Sequence, residues 1–347
     1  MVSYMSEIDL KKYRIRTDLI VESIGSSNIE GITKREKEVD DITITDITID
    51  KDIEELNKKK GRYITIGFKD ITDTTNRKKV EEVVTSELSS LLQFMKIDKD
   101  SSCLVIGLGN DKSTPDSLGP KVVNELVVTR HLYLLDGVNV EKGYRNVSAF
   151  IPGVMGNTGI EARDIIKGLV KEIEPGFVIV VDALASSSIE RVNRTIQITN
   201  TGINPGSGVG NTRMEISDKT IHVPVIAIGI PTVVDAVTIV SDTLKYLLKK
   251  FSYSKENINN HANKLKPVHS INYLEKDVKE LPAEDKEKIL GFLGNLKEEE
   301  MHQLMDEVLS PIGYNMMVTP KEIDFVIDKL SLLLSTSMNR VLHPKMN

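Results

Sequence analysis

Apolar residues along this chain follow different spacings in different regions, and the changes mark out its parts. From about residue 39 to 72, in VDDITITDITID and RYITIGFKDI, β-branched and polar residues alternate with a period of two. That is the pattern of strands with one buried face and one exposed face. From 78 to 250 helical and strand-like runs alternate: KKVEEVVTSELSSLLQFM and GPKVVNELVVTRHLYLL read as helices, and SCLVIGLG, GFVIVVDALA and VPVIAIGIPT as short unbroken apolar runs. Strands that lack alternation are buried on both faces, as happens when helices cover a largely parallel sheet on either side. Beyond about 252 the chain becomes charged and helical, through EKDVKELPAEDKEKILGFLGNLKEEEMHQLMDEVL and PKEIDFVIDKLSLLLSTSMN. The pattern predicts an α/β fold, a three-layer sandwich with a mostly parallel sheet. Its parts are a core at 78–250, a peripheral β-rich section at 19–77 and a helical elaboration at 251–347. Residues 1–18 are polar and charged with no apolar face, and read as a tail or pro-segment. No repeat of fixed period is present, and the acidic run at 298–300 reads as a solvated helix face.

Composition narrows the class. A chain of 347 residues has room for a sizeable core. With 40% hydrophobic and 28% charged residues it reads as an ordinary globular protein, and no window of about 18 consecutive apolar residues suggests a membrane span. The N-terminus lacks the apolar run of a secretory signal, and the single cysteine, Cys103, can form no intrachain disulfide. Both features point to the cytoplasm. A net charge of -6 argues against a broad nucleic-acid footprint. An acidic enzyme acting on protein or small molecules fits better.

Candidate chemistry gathers where the apolar strands end. In CLVIGLGNDKSTPDSLGP, Cys103 to Pro120, a strand breaks into turn residues that carry Asp116. In FVIVVDALASSS, Asp182 follows five apolar residues and is expected to end its strand. Ligands of open parallel sheets bind beyond the carboxyl ends of strands. The stretch between the two aspartates can hold a helix, a strand and a return helix, so both side chains can reach one crevice. Two neighbouring carboxylates do not both ionise easily, so one keeps a proton near neutral pH and the pair can act as base and acid on an amide. Gly107 and Gly109 would let a substrate backbone approach closely. The plainer alternatives are that Asp116 is a turn former or helix cap and that Asp182 caps a helix or binds ribose. Asp235, in GIPTVVDAV, reads as a charge in a helical first turn.

Other constellations carry less. After the strand, IGLGNDK has Lys112 where a dinucleotide loop needs its third glycine, so NAD is set aside. INPGSGVGNTR, Ile203 to Arg213, reads as a long structural turn. The six histidines are scattered without ligand spacing, His131 and His222 reading as packing or surface residues, and no metal or other cofactor is expected. Cys103 reads as a small core residue.

Taken together, GLGNDKSTPDSLGP, FIPGVMGNTGIE, VIVVDALAS, TGINPGSGVGN, VPVIAIGIPTVVDA and VTPKEID resemble the germination proteases of spore-forming bacteria, endopeptidases that degrade small acid-soluble spore proteins. The resemblance covers nearly the whole chain. It implies a fold like that of hydrogenase-maturation proteases and an unusual aspartic-type mechanism, with Asp116 and Asp182 as the catalytic pair. EIDLKKYRIRTDLIVE is similar to the family's pro-segment, which implies self-processing between Asp18 and Leu19. The resemblance further implies a homotetramer in the forespore and spore core, acting on small acid-soluble spore proteins without direct nucleic-acid or membrane partners. A metal-dependent maturation-type peptidase and a non-catalytic α/β binding module remain the alternative readings.

Overall fold

A computed structural model describes residues 17–24, 29–53, 58–135, 140–209, 213–259, 278–309 and 316–346. Most of the expected pro-segment, residues 1–16, lies outside them. The chain divides into two compact units, one of residues 16–234 and 318–347, the other, among the described residues, of 235–317. The C-terminal stretch expected as one elaboration is therefore divided between them.

In the larger unit the elements run α1 (Ile20–Ile24), β1 (Ile32–Val39), β2 (Ile42–Ile49), β3 (Gly61–Gly67), α2 (Thr74–Phe94), β4 (Cys103–Gly107), α3 (Leu118–Asn124), the single turn α4 (Arg130–Tyr133), β5 (Val147–Phe150), the single turn α5 (Met155–Thr158), α6 (Ala162–Ile173), β6 (Phe177–Ser186), β7 (Thr195–Thr199), the single turn α7 (Asp218–Ile221) and β8 (Val225–Asp235). The smaller unit holds α8 (Ala236–Glu256), α9 (Ala283–Leu290) and α10 (Glu298–Leu309). After the two-residue β9 (Met317–Val318), α11 (Ile323–Leu342) returns to the larger unit.

One sheet runs in the order β1-β2-β3-β7-β8-β6-β4-β5, with β9 pairing to β8 off this path. The pairs β8-β6, β6-β4 and β4-β5 are parallel, and the four pairs from β1 to β8 are antiparallel. The fold is α/β as expected, and its parallel half is the part whose sequence runs are unbroken and apolar. The β-rich section, expected at the periphery, continues the same sheet through β3-β7.

Alternate residues of the inner strands face opposite layers. Ile179 and Val181 of β6, Ile196 and Ile198 of β7 and Ile226 and Ile228 of β8 share a core with Val84, Leu88 and Leu91 of α2 and Leu330 and Leu334 of α11. Val178 and Val180 face the other way and pack with Ile166 and Val170 of α6. Over β2 and β3 that second face is covered by α1, whose Ile20 and Ile24 pack on Ile47, Ile49 and Tyr63.

The helix expected through GPKVVNELVVTRHLYLL breaks after Asn124. Val127 N–H donates to Asn339 Oδ1, and Thr129 N–H to the Val147 carbonyl. These bonds draw the backbone out of helical pairing.

Gly119 in α3 lies against the sheet. A Cβ there would stand 2.2 Å from the Leu108 carbonyl oxygen and 2.6 Å from that of Val181. Both are backbone atoms, one just past the end of β4 and the other inside β6, and cannot swing aside. Gly119→Ala is expected to destabilise the chain by about 3 kcal/mol or more, read as a lowered denaturation midpoint.

Candidate active site

Strand β4 stops at Gly107, which pairs with Val181, one row short of Asp182. Its partner β6 continues to Ser186 beside β8. Asp182 thus lies inside its strand and not at the end, a correction to the reading of FVIVVDALASSS. The sheet narrows at its row because β4 has left.

The turn that follows β4 remains beside the strand ends. Gly109 has φ +113°, and a Cβ there would lie 2.0 Å from the Asp116 carbonyl oxygen. The chain folds back so that Asn110 N–H donates to that oxygen at 3.0 Å and Asp116 N–H donates to the Ser113 carbonyl at 2.8 Å. A 3-10 turn, Thr114–Asp116, then leads into α3. Thr232 Oγ1 of β8 donates to the Pro115 carbonyl and ties the turn across the sheet. At Gly107 a Cβ would meet the Gly119 carbonyl oxygen at 2.3 Å. The close approaches that Gly107 and Gly109 permit are therefore those of α3 and the Asp116 turn, not of a substrate backbone, which corrects the role expected of them.

Burial pushes the Asp116 carboxyl up to about 6, with the nearby Asn110 N–H opposing the rise. Asp182 is almost fully buried, and its carboxyl is held well above the usual carboxylate range, by burial first and then by the negative charges of Asp116 and Asp18. The two aspartates therefore lie within electrostatic reach of one another. Asp116 is not the cap of α3, whose N-cap is Ser117. Asp235, read as a charge in a helical first turn, is the cap of α8, accepting from Val237 N–H at 2.8 Å, and Thr232 to Val234 belong to β8.

The third carboxylate, Asp18, is seated across the sheet. Its N–H donates to the Ala185 carbonyl at 3.2 Å, and Ala185 N–H donates back to Asp18 Oδ2 at 2.9 Å. Ser207 Oγ donates to Asp18 Oδ1 at 2.6 Å. A Cβ at Gly208 would lie 2.2 Å from Oδ2, so only glycine leaves room for this side chain. The Asp18 carbonyl oxygen accepts from Lys58 Nζ at 3.1 Å and from Gln197 Nε2 at 3.2 Å. Beyond it Leu19 and Ile20 are fully buried. Glu22 accepts from Ser186 Oγ at 2.6 Å and Ser187 N–H at 2.8 Å. The Leu19 to Glu22 stretch turns into α1 at Ile20 because its isoleucines find the β2-β3 face on one side of a helical turn.

Lys58, Gln197 and Ser207 were not singled out by the sequence. Gln197 alone left a signal, as the polar centre of the alternating run TIQIT. The turn INPGSGVGNTR, read as structural, contributes Ser207 and Gly208, and its residues 210–212 lie outside the described ones. His131 and His222 are exposed, and Cys103 is buried in β4. Among the described residues, no three His, Cys, Asp or Glu side chains cluster as a metal site, and no helix is long and apolar enough to cross a membrane.

The sequence model of the germination protease family matches residues 14–347. Germination proteases of Bacillus velezensis and Bacillus subtilis are 48% and 47% identical to this chain, each covering 99% of it and 97% of the relative. That of Priestia megaterium is 46% identical over 97% of this chain and 96% of its own length. Among solved structures, a [NiFe] hydrogenase maturation protease, HycI from Thermococcus kodakarensis, is similar over 38% of this chain and 74% of its own, at 16% identity and a TM-score of 0.24. On the match to residues 14–347 and on relatives of nearly the same length at almost half identity, the chain belongs to the germination protease family.

Proposed function

We propose that this protease is an aspartic-type endopeptidase, made as a zymogen that cuts its own Asp18–Leu19 bond and then initiates degradation of small acid-soluble spore proteins. The observation that carries the proposal is the seat of Asp18: its carboxylate and its carbonyl are both held, within electrostatic reach of Asp182, whose partner is Asp116. A segment so placed is positioned as a substrate and at the same time occupies the ground that another substrate needs.

The pair divides its work by burial. Asp182, whose carboxyl burial and neighbouring negative charge hold well above the usual range, is the member suited to hold a proton, and Asp116, raised to about 6, is largely ionised at neutral pH. Asp116 then takes a proton from the attacking water, and Asp182 gives its proton to the departing amine of Leu19. Assembly as a homotetramer in the forespore and spore core is carried over from the family resemblance.

The test of processing is to incubate purified full-length chain at pH about 5 to 7 and follow the new N-terminus by mass spectrometry. Appearance of a chain beginning at Leu19 supports the proposal, and cleavage only elsewhere contradicts it. The maturation-type alternative predicts a metal requirement. Peptide cleavage is expected to survive dialysis against chelator unchanged. Loss of activity, restored by one equivalent of zinc or nickel, would favour the alternative.

A further inference from the structure

We infer that Lys58 and Gln197 form the site that stabilises the oxyanion developing on the Asp18 carbonyl when the Asp18–Leu19 bond is cut. The inference rests on the self-processing reading above.

Lys58 Nζ and Gln197 Nε2 approach the same oxygen, at 3.1 and 3.2 Å, and together they can occupy both of its lone pairs. The orientation of the Gln197 amide is chemically forced. Its Oε1 accepts Ile20 N–H at 2.7 Å, so a flip would set an NH2 group against an N–H and a carbonyl against a carbonyl. One side chain thereby clamps the chain on both sides of the Asp18–Leu19 peptide. Lys58 is a half-buried ammonium whose charge burial disfavours and the nearby Asp18 and Glu22 favour.

Sheet register sets Gln197 and Asp182 on the same face of the sheet. Gln197 of β7 pairs with Gly229 of β8, and Gly229 pairs with Asp182 of β6. The three residues form one row on one face, with Gln197 and Asp182 about 10 Å apart at Cα, two strand spacings. Asp18 spans from β6 to β7, bonded to Ala185, three residues past Asp182, at one end and to Gln197 at the other. The acid and base therefore lie on the β6 side of the peptide and the donors on the β7 side.

The step balances on these residues. A water oxygen bonds to the Asp18 carbonyl carbon, its proton goes to Asp116, and the carbonyl π electrons move onto the oxygen facing Lys58 and Gln197. When that pair returns, the C–N bond breaks and the Leu19 nitrogen takes the proton of Asp182. The aspartic pair need not polarise the carbonyl, and its proton is free for the leaving amine. Donors aimed at developing charge are strong contributors to such steps, each typically worth 10²–10³-fold in rate.

The test measures the first-order rate of appearance of the Leu19 terminus in full-length wild type and in Lys58→Met, Lys58→Arg, Gln197→Met and Gln197→Glu, with thermal melting of each. Lys58→Met and Gln197→Met are expected to slow processing by about 100-fold or more while staying folded at the assay temperature. Lys58→Arg, which keeps a donor, should recover part of the loss. Gln197→Glu should approach wild type as pH falls, because its protonated carboxyl can donate, whereas Gln197→Met should show no such recovery relative to wild type. A purely structural role would produce neither rescue. If folded Met variants process within about threefold of wild type, the oxyanion assignment is overturned and the self-processing reading stands. If wild type itself never yields the Leu19 terminus, both fall.

Discussion

Replacing either Asp116 or Asp182 by Asn is expected to lower self-processing and peptide cleavage by about 10³-fold or more while leaving the chain folded. An amide can neither take the proton of the attacking water nor give one to the Leu19 nitrogen, and residues that act as a unit fail together, so the double variant should be hardly worse than either single one. Folding should survive because burial and neighbouring negative charge already disfavour the ionised form of Asp182, and a neutral amide of the same shape replaces it with little new desolvation. The carboxyls raised in the folded chain make stability pH-dependent. Both bind protons more tightly folded than unfolded, so the stability they contribute is complete below the unfolded value of about 4 and is lost as pH rises. For Asp116, moved from 3.8 to about 6, the difference amounts to at most about 3 kcal/mol. Asp116→Asn should therefore flatten the decline in melting temperature between pH 4 and 7. Near-normal turnover in either folded single variant would eliminate the aspartate pair.

A chain that begins at Leu19 and carries Lys58→Met is expected to cleave small acid-soluble spore proteins at least about 100-fold faster than a full-length chain held uncut by the same substitution. The uncut segment is tethered, and a short tether presents it at an effective concentration on the order of millimolar, which a dilute substrate cannot match. The pH profile of processing should be bell-shaped. Its acid limb follows ionisation of Asp116 near 6, and its basic limb follows loss of the Asp182 proton at higher pH. Processing measured by mass spectrometry across this range, beside a peptidase assay before and after, checks both parts. A full-length chain as active as the shortened one would remove the zymogen interpretation.

What the sequence disclosed and what it hid follow a physical division. The strands Cys103–Gly107 and Phe177–Ser186 were legible because burial on both faces writes itself as an unbroken apolar run. Asp116 and Asp182 stood out as candidates because a carboxylate beside such a run demands explanation, and the family motifs pointed to the same pair. The place of Asp182 within its strand was not, because strand length depends on which neighbours remain paired, and β4 departs one row earlier through contacts far away in the chain. Lys58 was lost in the run Lys58-Lys59-Lys60, where nothing local distinguishes the one lysine that reaches Asp18. The break after Asn124 was equally hidden, since its cause, Asn339, lies more than two hundred residues away.

The burial of Leu19, Ile20 and Ile24 bears on how a cut chain becomes a committed one. Hydrolysis would free an amine at Leu19, but the side chains behind that amine stay fixed in the sheet's second face, so only the acyl fragment ending in Asp18 can diffuse away. Until it does, the two new termini remain neighbours, and resealing stays a unimolecular event favoured by proximity. On the proposed self-processing, the step that makes activation irreversible would be the departure of the fragment, opposed by its bonds to Ala185, Ser207, Lys58 and Gln197. Activity should accordingly lag behind bond scission by the residence time of that peptide.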